Sequence, residues 1–131
     1  WAAASLRLAG AYTRAEVDGG AAAPQLTGLR PAQTPRLTLT GEARWRPVEP
    51  LNLSAVIRYE GERYDDDLNS RKLSSAAEVD LRADWSVSRA VTLYAAVANL
   101  FDARIETAET GGGLESYDQP RTLRVGLVLR R

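Results

Sequence analysis

Apolar and polar residues alternate along most of this chain, in five or six stretches of ten or more positions. The clearest are Leu37-Thr38-Leu39-Thr40-Gly41-Glu42-Ala43-Arg44-Trp45 and Ala77-Glu78-Val79-Asp80-Leu81-Arg82-Ala83-Asp84-Trp85. Strand side chains point to opposite faces with period two, so each run carries one oily face and one charged face. An amphipathic helix would need spacing near 3.6, which these runs lack.

The pattern predicts strands over about 2–14, 36–46, 51–63, 76–86, 91–99 and 121–131. Their oily faces include Leu6, Leu8, Gly10 and Tyr12; Leu51, Leu53, Ala55, Ile57 and Tyr59; Val91, Leu93, Ala95 and Val97; and Leu123, Val125, Leu127 and Leu129. Trp1 fits poorly, because its parity matches the polar face. Connections are short and long in turn. Pro47 and Pro50 bracket a tight turn, since proline cannot donate to a ladder, and Val87 to Ala90 form a second. Long connections rich in Gly, Pro, Asp and Asn cover about 18–35, 64–75 and 101–120. A shift of forty residues superposes Ala43 on Ala83, Trp45 on Trp85, Leu53 on Leu93 and Ala55 on Ala95, so one hairpin occurs twice.

Alternation alone fits both a soluble β-sandwich or lipocalin-like binder and a membrane barrel. Three features favour the barrel. Strands of ten to twelve residues exceed the common length of about five or six and suit a tilted bilayer crossing of roughly nine to eleven. The short turns fall on one side and the long loops on the other. Trp45 and Trp85 mark the short-turn ends, while Tyr12 and Tyr59 lie near the long-loop ends, as in paired aromatic girdles.

Charge and composition narrow the rest. Seventeen basic and seventeen acidic residues cancel, so no net field draws the chain to nucleic acid. Cysteine and histidine are both absent, which removes disulfides, imidazole bases and the usual zinc ligands. No apolar run approaches the roughly 20 residues of a membrane helix, a result that leaves a barrel open because its strands are only half apolar. The polar face carries Glu42, Arg44, Arg46, Arg58, Glu60, Glu62, Glu78, Asp80, Arg82, Asp84 and Arg124. So many long charged chains call for a wide, wet or plugged lumen, and one register would pair Arg58 with Asp84 and Glu60 with Arg82. Six strands leave two open edges that lipid cannot satisfy, so the segment reads as an arc of a larger wall. Beginning at Trp1, it reads as a piece of a longer protein.

The segment Val97-Ala98-Asn99-Leu100-Phe101-Asp102 resembles a pattern near the C-terminus of TonB-dependent outer-membrane receptors. Leu26-Thr27-Gly28-Leu29-Arg30-Pro31 with Thr34-Pro35-Arg36 is similar to the family's stretch before an upward strand. Arg58-Tyr59 with Gly61, then Tyr64-Asp65-Asp66 and Asn69, follows in the family's order. So do Val79-Asp80-Leu81-Arg82 and Gln119-Pro120-Arg121-Thr122-Leu123-Arg124-Val125-Gly126-Leu127. The resemblance implies an all-β fold: an antiparallel up-and-down meander of about six long strands, an arc of a transmembrane β-barrel of roughly 22 strands. Residues 1–131 would be the C-terminal segment of that barrel, without the plug domain and earlier strands. It further implies an outer-membrane active transporter importing iron-siderophore complexes, cobalamin or similar scarce ligands. The implied partners are outer-membrane lipid, the remaining barrel and plug, a TonB-type energising protein, and a ligand such as a ferric siderophore. The rival within membranes is a passive porin-type barrel. One departure is the ending Leu129-Arg130-Arg131, where the family usually has an aromatic residue. The chain stops a few residues early, or its assembly signal is atypical.

No catalytic residue, cofactor or metal site is expected. Asp65-Asp66-Asp67 lacks the spaced ligands and glycine of a calcium loop and reads as a solvated tip. Gly111-Gly112-Gly113 has no phosphate-loop lysine and reads as a flexible loop. Without histidine a hydrolase triad is excluded. Loops on a rigid scaffold usually carry recognition, so Tyr64, Asp65, Asp66 and Tyr117 are the candidate ligand contacts. Asn99, Leu100, Phe101 and Asp102 form the family motif, with a structural role in which Asn99 and Asp102 turn the chain.

Overall fold

The computed structural model describes residues 3–130. The expectations for Trp1 and Arg131 lie outside them. The strands are β1 (Ala3–Tyr12), β2 (Leu37–Val48), β3 (Leu51–Glu60), β4 (Arg63–Tyr64), β5 (Lys72–Leu73), β6 (Ala76–Ser86), β7 (Val91–Ala98), β8 (Glu106–Glu109), β9 (Glu115–Tyr117) and β10 (Thr122–Leu129). One 3-10 turn covers Pro24–Leu26. Six strands make one antiparallel sheet in the order β1-β2-β3-β6-β7-β10, an up-and-down meander whose strand-to-strand links carry two small hairpins, β4-β5 and β8-β9.

The register explains why the alternation matters. Leu6, Ala43, Ala55, Leu81, Val97 and Leu123 lie opposite one another in a row that crosses all six strands. The row beside it, on the other face, reads Ser5, Arg44, Ser54, Arg82, Ala96 and Arg124. Directly opposed residues share a face, so each strand's apolar set joins its neighbours' into one continuous surface. No second layer covers it. Leu81, on a central strand, is 39 % exposed, and Leu123 76 %. Among the described residues the buried hydrophobic side chain is Leu73, in a loop hairpin. A soluble sandwich hides one face of each sheet; this sheet hides neither.

The duplicated hairpin is real at the level of pairs. Trp45 faces Leu53 and Ala43 faces Ala55, as Trp85 faces Leu93 and Ala83 faces Ala95. The aromatic levels also separate. Tyr12 lies opposite Leu37 and Tyr59 opposite Leu39, six to eight residues from Trp45 along β2. At ~3.3 Å per residue that is roughly 20–26 Å along the strand, or about 14–21 Å of height at a barrel tilt of roughly 35–45°, within an outer-membrane apolar band of about 25 Å.

Several sequence expectations change. β2 continues through Pro47 to Val48, because a register shift between Trp45 and Val48 places the proline in a bulge where no ladder donor is needed. β3 stops at Glu60 rather than near 63. There Gly61 is buried with its amide on the Leu37 carbonyl (2.8 Å), and an added Cβ would lie 3.2 Å from that oxygen. The chain turns away at this point, so Glu62 leaves the wall and pairs with Lys72 in the loop. The long connections are not wholly irregular: each of the last two folds into a hairpin, and Gly111 to Gly113 belong to the β8-β9 turn.

The anticipated ion pairs also shift. Asp84 lies opposite Asn52 and Arg82 opposite Ser54, while Arg58 faces Glu78. Arg58 Nη1 instead meets Asp80 Oδ2 at 2.6 Å, and Arg82 forks onto Asp84 along its own strand at 2.8 and 2.6 Å. Arg7 and Arg44 share Glu42. These exposed pairs sort charge to one face and contribute at most about 1 kcal/mol each.

Gly126 marks a close approach. The Tyr94 ring lies over it, 2.7 Å from where a Cβ would stand, with the Arg82 guanidinium 4.2 Å from the ring centre. Gly126→Ala should destabilise the full barrel by ~1–3 kcal/mol, as overpacking does. Adding Tyr94→Ala should restore most of that loss, which a double-mutant cycle in urea unfolding measures.

Candidate functional site

The three long connections, 13–36, 61–75 and 99–121, meet over one end of the sheet, and their polar groups interlock. Gln33 sits at the junction with φ +54, a left-handed backbone that non-glycine residues rarely adopt. Its amide donates to the Tyr64 carbonyl at 2.7 Å, and its side chain donates to the Asp65 carboxylate and the Thr107 carbonyl. One residue thus touches all three loops. Arg63, 7 % exposed, repeats the arrangement from the second loop: Nε donates to Gln33 Oε1 and Nη2 to the Glu106 carbonyl, both at 2.9 Å. Its Nη1 lies 3.1 Å from Glu60 Oε2, an ion pair without hydrogen-bond alignment.

Asn69, also left-handed at φ +56, binds the first loop as a strand would. Its Oδ1 accepts the Arg30 amide (2.9 Å) and its Nδ2 donates to the Arg30 carbonyl (2.8 Å). Arg30 in turn stacks over the Tyr64 ring at 5.3 Å and donates to the Glu62 carbonyl at 3.0 Å. Ser74 and Glu106 join the second loop to the third, with the Ser74 amide donating to Glu106 Oε2 at 2.7 Å.

Of the candidate contacts, Asp65 and Asp66 are not a solvated tip. Their side chains are 15 % and 10 % exposed. Asp65 accepts from Gln33 and from the Glu109 amide. Asp66 closes its own loop, accepting from the amides of Ser70 (3.2 Å) and Arg71 (2.7 Å) and from the Ser70 hydroxyl (2.7 Å). Asp67 alone of the three is exposed. Tyr64 lies under Arg30, whereas Tyr117 stands apart on β9, its hydroxyl donating to Glu115, which pushes its pKa up. The structure therefore does not gather these four residues in one cleft. Beneath the loops, an open cavity of about 270 Å³ is lined instead by Arg58, Glu60, Arg63, Glu78, Thr107 and Asp118. Nothing in the sequence singled out Gln33 or Arg63, whose partners lie 30 to 74 residues away.

Asp66 gives this layer a pH dependence. Partial burial pushes its carboxyl up, but the Arg71 amide, the Ser70 hydroxyl and amide, and the Arg71 charge outweigh it and hold the pKa at about 2. Because the folded value lies below the ordinary 3.8, the charged form stabilises the loop above that pH, and the contribution disappears as pH falls through about 2. Hydrogen exchange at the Ser70 and Arg71 amides should accelerate over this window. Asp66→Asn should remove the pH dependence.

At the loop base, Asn99 is 1 % exposed and left-handed (φ +51). Its Nδ2 donates to the carbonyls of Ala103 (2.9 Å) and Gln119 (3.2 Å), and its Oδ1 accepts the Ala103 amide (2.8 Å). Asp102, at φ +54, accepts the Arg121 amide at 2.9 Å. The Leu100 amide donates to the Val79 carbonyl at 2.8 Å, and Phe101 is 72 % exposed. Asp80 holds this turn to the wall, its Oδ1 accepting the Asn99 amide at 3.0 Å.

A single-layer meander with one exposed apolar face, girdled at two levels and capped on one side by interlocked loops, defines the wall of a membrane β-barrel. The family model for the TonB dependent receptor-like β-barrel matches residues 1–100, and the chain belongs to that family. It is 37 % identical over 66 residues to the vitamin B12 transporter BtuB of Vibrio vulnificus, covering 50 % of this chain and 10 % of that protein. The ferric yersiniabactin uptake receptor FyuA from Yersinia pestis shares its fold with a TM-score of 0.82 at 19 % identity, over 96 % of this chain and 21 % of the receptor. The siderophore receptor PiuA from Acinetobacter baumannii gives 0.74 at 20 % identity, over 79 % and 15 %. The chain thus spans a tenth to about a fifth of the length of these proteins.

Proposed function

We propose that this chain is the C-terminal part of the barrel of an outer-membrane active transporter. It imports a scarce ligand such as an iron-siderophore complex or cobalamin, with energy relayed from the inner membrane by a TonB-type protein. The observation that supports this best is the unbroken apolar face across six strands, in a chain that belongs to the TonB-dependent receptor family. The relatives' names point to the cargo class: one is a vitamin B12 transporter, another a ferric yersiniabactin uptake receptor. On this reading a plug domain fills the lumen against the charged face, and the remaining strands close the sheet edges. The chain supplies wall and loops, with no catalytic chemistry.

The test uses the full-length protein in its host. Ligand-dependent growth on cobalamin or on a panel of ferric siderophores should be lost when the receptor gene is deleted, and equally lost when the TonB-type partner is deleted. Uptake unchanged by the second deletion would indicate a passive pore instead.

A further inference from the structure

We propose that Tyr94 and Gly126 form a register key, in which the Tyr94 ring fits over one residue of β10 and so selects how that strand docks on β7. Among the described residues, three glycines lie inside strands of the wall: Gly10, Gly41 and Gly126. Each stands directly opposite a large side chain, Leu39, Ile57 and Tyr94 respectively. That side chain lies over the glycine, 2.9, 2.8 and 2.7 Å from where a Cβ would stand. At Gly10 and Gly41 the covering atom is a single methyl. At Gly126 it is a ring, with Cζ, Oη and Cε1 all within 2.8 Å of the Cβ position. The ring is also held from the β6 side. The Arg82 guanidinium lies 4.2 Å from its centre, and Arg82 is itself forked onto Asp84 at 2.8 and 2.6 Å.

Such a key is needed here because nothing else at this interface distinguishes one register from the next. A slide by two residues keeps every side chain on its own face. Leu123, Val125, Leu127 and Leu129 are near equals, so the oily face of β10 fits β7 as well after a slide as before it. A tight turn would fix the register, but β7 and β10 are joined by the long connection 99–121. At its base Asn99 donates to the Gln119 carbonyl and Asp102 accepts the Arg121 amide. These are backbone groups, which residues two places along offer equally. The lumenal row does discriminate. Slid one way, Tyr94 faces Arg124; slid the other, it faces Val128. Either Cβ would stand in the space the ring now fills, and the ring would have to swing off β10 and leave Arg82. Glycine marks a close approach that no other residue allows, and here it sets the pairing of a whole strand. The inference concerns assembly of the wall and stands apart from cargo and transport.

The test takes the full-length receptor, otherwise free of cysteine, assembled in outer membranes and oxidised with copper phenanthroline. Leu93→Cys with Leu127→Cys reports the register described above. In separate proteins, Leu93→Cys with Leu129→Cys or with Val125→Cys reports a slide, because residues two places out of register lie beyond the ~7 Å that a disulfide bridges. With no further change, only the 93–127 bond should form. Gly126→Val with Val128→Gly moves the glycine by two places and should raise the yield of the 93–129 bond over 93–127 by about tenfold, as expected of an overpacking penalty of ordinary size. Tyr94→Ala should let both slid products appear, while Tyr94→Phe, which keeps the ring, should leave the 93–127 bond alone. Tyr94→Ala adds no bulk, so it decides the matter even where the relocated glycine prevents assembly. Exclusive 93–127 bonding with Tyr94→Ala, or in an assembled receptor with the relocated glycine, would overturn the proposal. So would slid products with Tyr94→Phe, which would assign the register to the hydroxyl and not to the ring.

Discussion

Leu81→Arg, in the full-length barrel, should destabilise the fold by about 2–4 kcal/mol, the penalty for arginine on a barrel's lipid face near the midplane. Leu81 lies midway along β6, four residues from Trp85 at the turn end and from Ala77 at the loop end, and it stands opposite Ala55 and Val97 on the apolar face. No polar partner shares that row, so the guanidinium would meet hydrocarbon or force local thinning. Val56→Arg is the matched control. It lies at nearly the same depth but on the other face, between Glu42 and Asp80, where an added cation gains partners; ~0–1 kcal/mol is expected. Asp80→Asn, which the sequence alone presents as a mild lumenal change, is a poorer control. Asp80 holds both Arg58 and the Asn99 amide, and the substitution would unpair a cation beside the turn. Unfolding in urea, with refolding into detergent micelles, gives all three values.

Asn99→Ala should be the most damaging polar substitution, at about 3 kcal/mol. Two effects add. The residue sits at φ +51, where a side chain with a Cβ costs roughly 1–2 kcal/mol and asparagine is among the few that tolerate it. Its amide also satisfies the Ala103 and Gln119 carbonyls and the Ala103 amide in a buried position, and unsatisfied buried groups cost about 1–3 kcal/mol. Asn99→Gly should recover about 1 kcal/mol of the loss, because glycine relieves the backbone but leaves the bonds unmade. Asn99→Asp keeps the acceptor for the Ala103 amide yet aims charge at two carbonyls, so it should resemble alanine. Parallel losses in glycine and alanine variants would mean the backbone conformation contributes nothing.

The wall was legible because alternation is a local property that lipid enforces at every other residue. From Leu37 to Leu129 the parity of the apolar face follows the run of odd positions, and the repeat of Trp45 and Leu53 by Trp85 and Leu93 survives as identical cross-strand pairs. What alternation does not encode is where a strand stops and which register it takes. Pro47 reads as a stop, but a bulge absorbs it. Register across a long loop is not written in alternation, because any shift by two residues keeps the same faces together, so Arg58 could be set against Asp84 where the structure sets it against Glu78. The loop layer was least legible, because Gln33, Arg63 and Asn69 act through backbone groups tens of residues away, and a carbonyl acceptor leaves no signature in the identity of the residue that carries it. Asp65 and Asp66 illustrate the same limit: a run of carboxylates looks solvent-facing until amides are found pointing at two of them.

The central claim is that odd-numbered wall residues from Leu37 to Leu129, with the even-numbered residues of β1, face hydrocarbon, and that their neighbours face a wet lumen. The chain contains no cysteine, so single cysteines from 77 to 85 can each be spin-labelled in the full-length protein reconstituted into bilayers. The ratio of collision rates with oxygen and with a water-soluble nickel complex should oscillate with a period of two, oxygen dominating at 79, 81 and 83 and nickel at 78, 80, 82 and 84. A flat profile, or oxygen access favouring the even positions, would contradict the account.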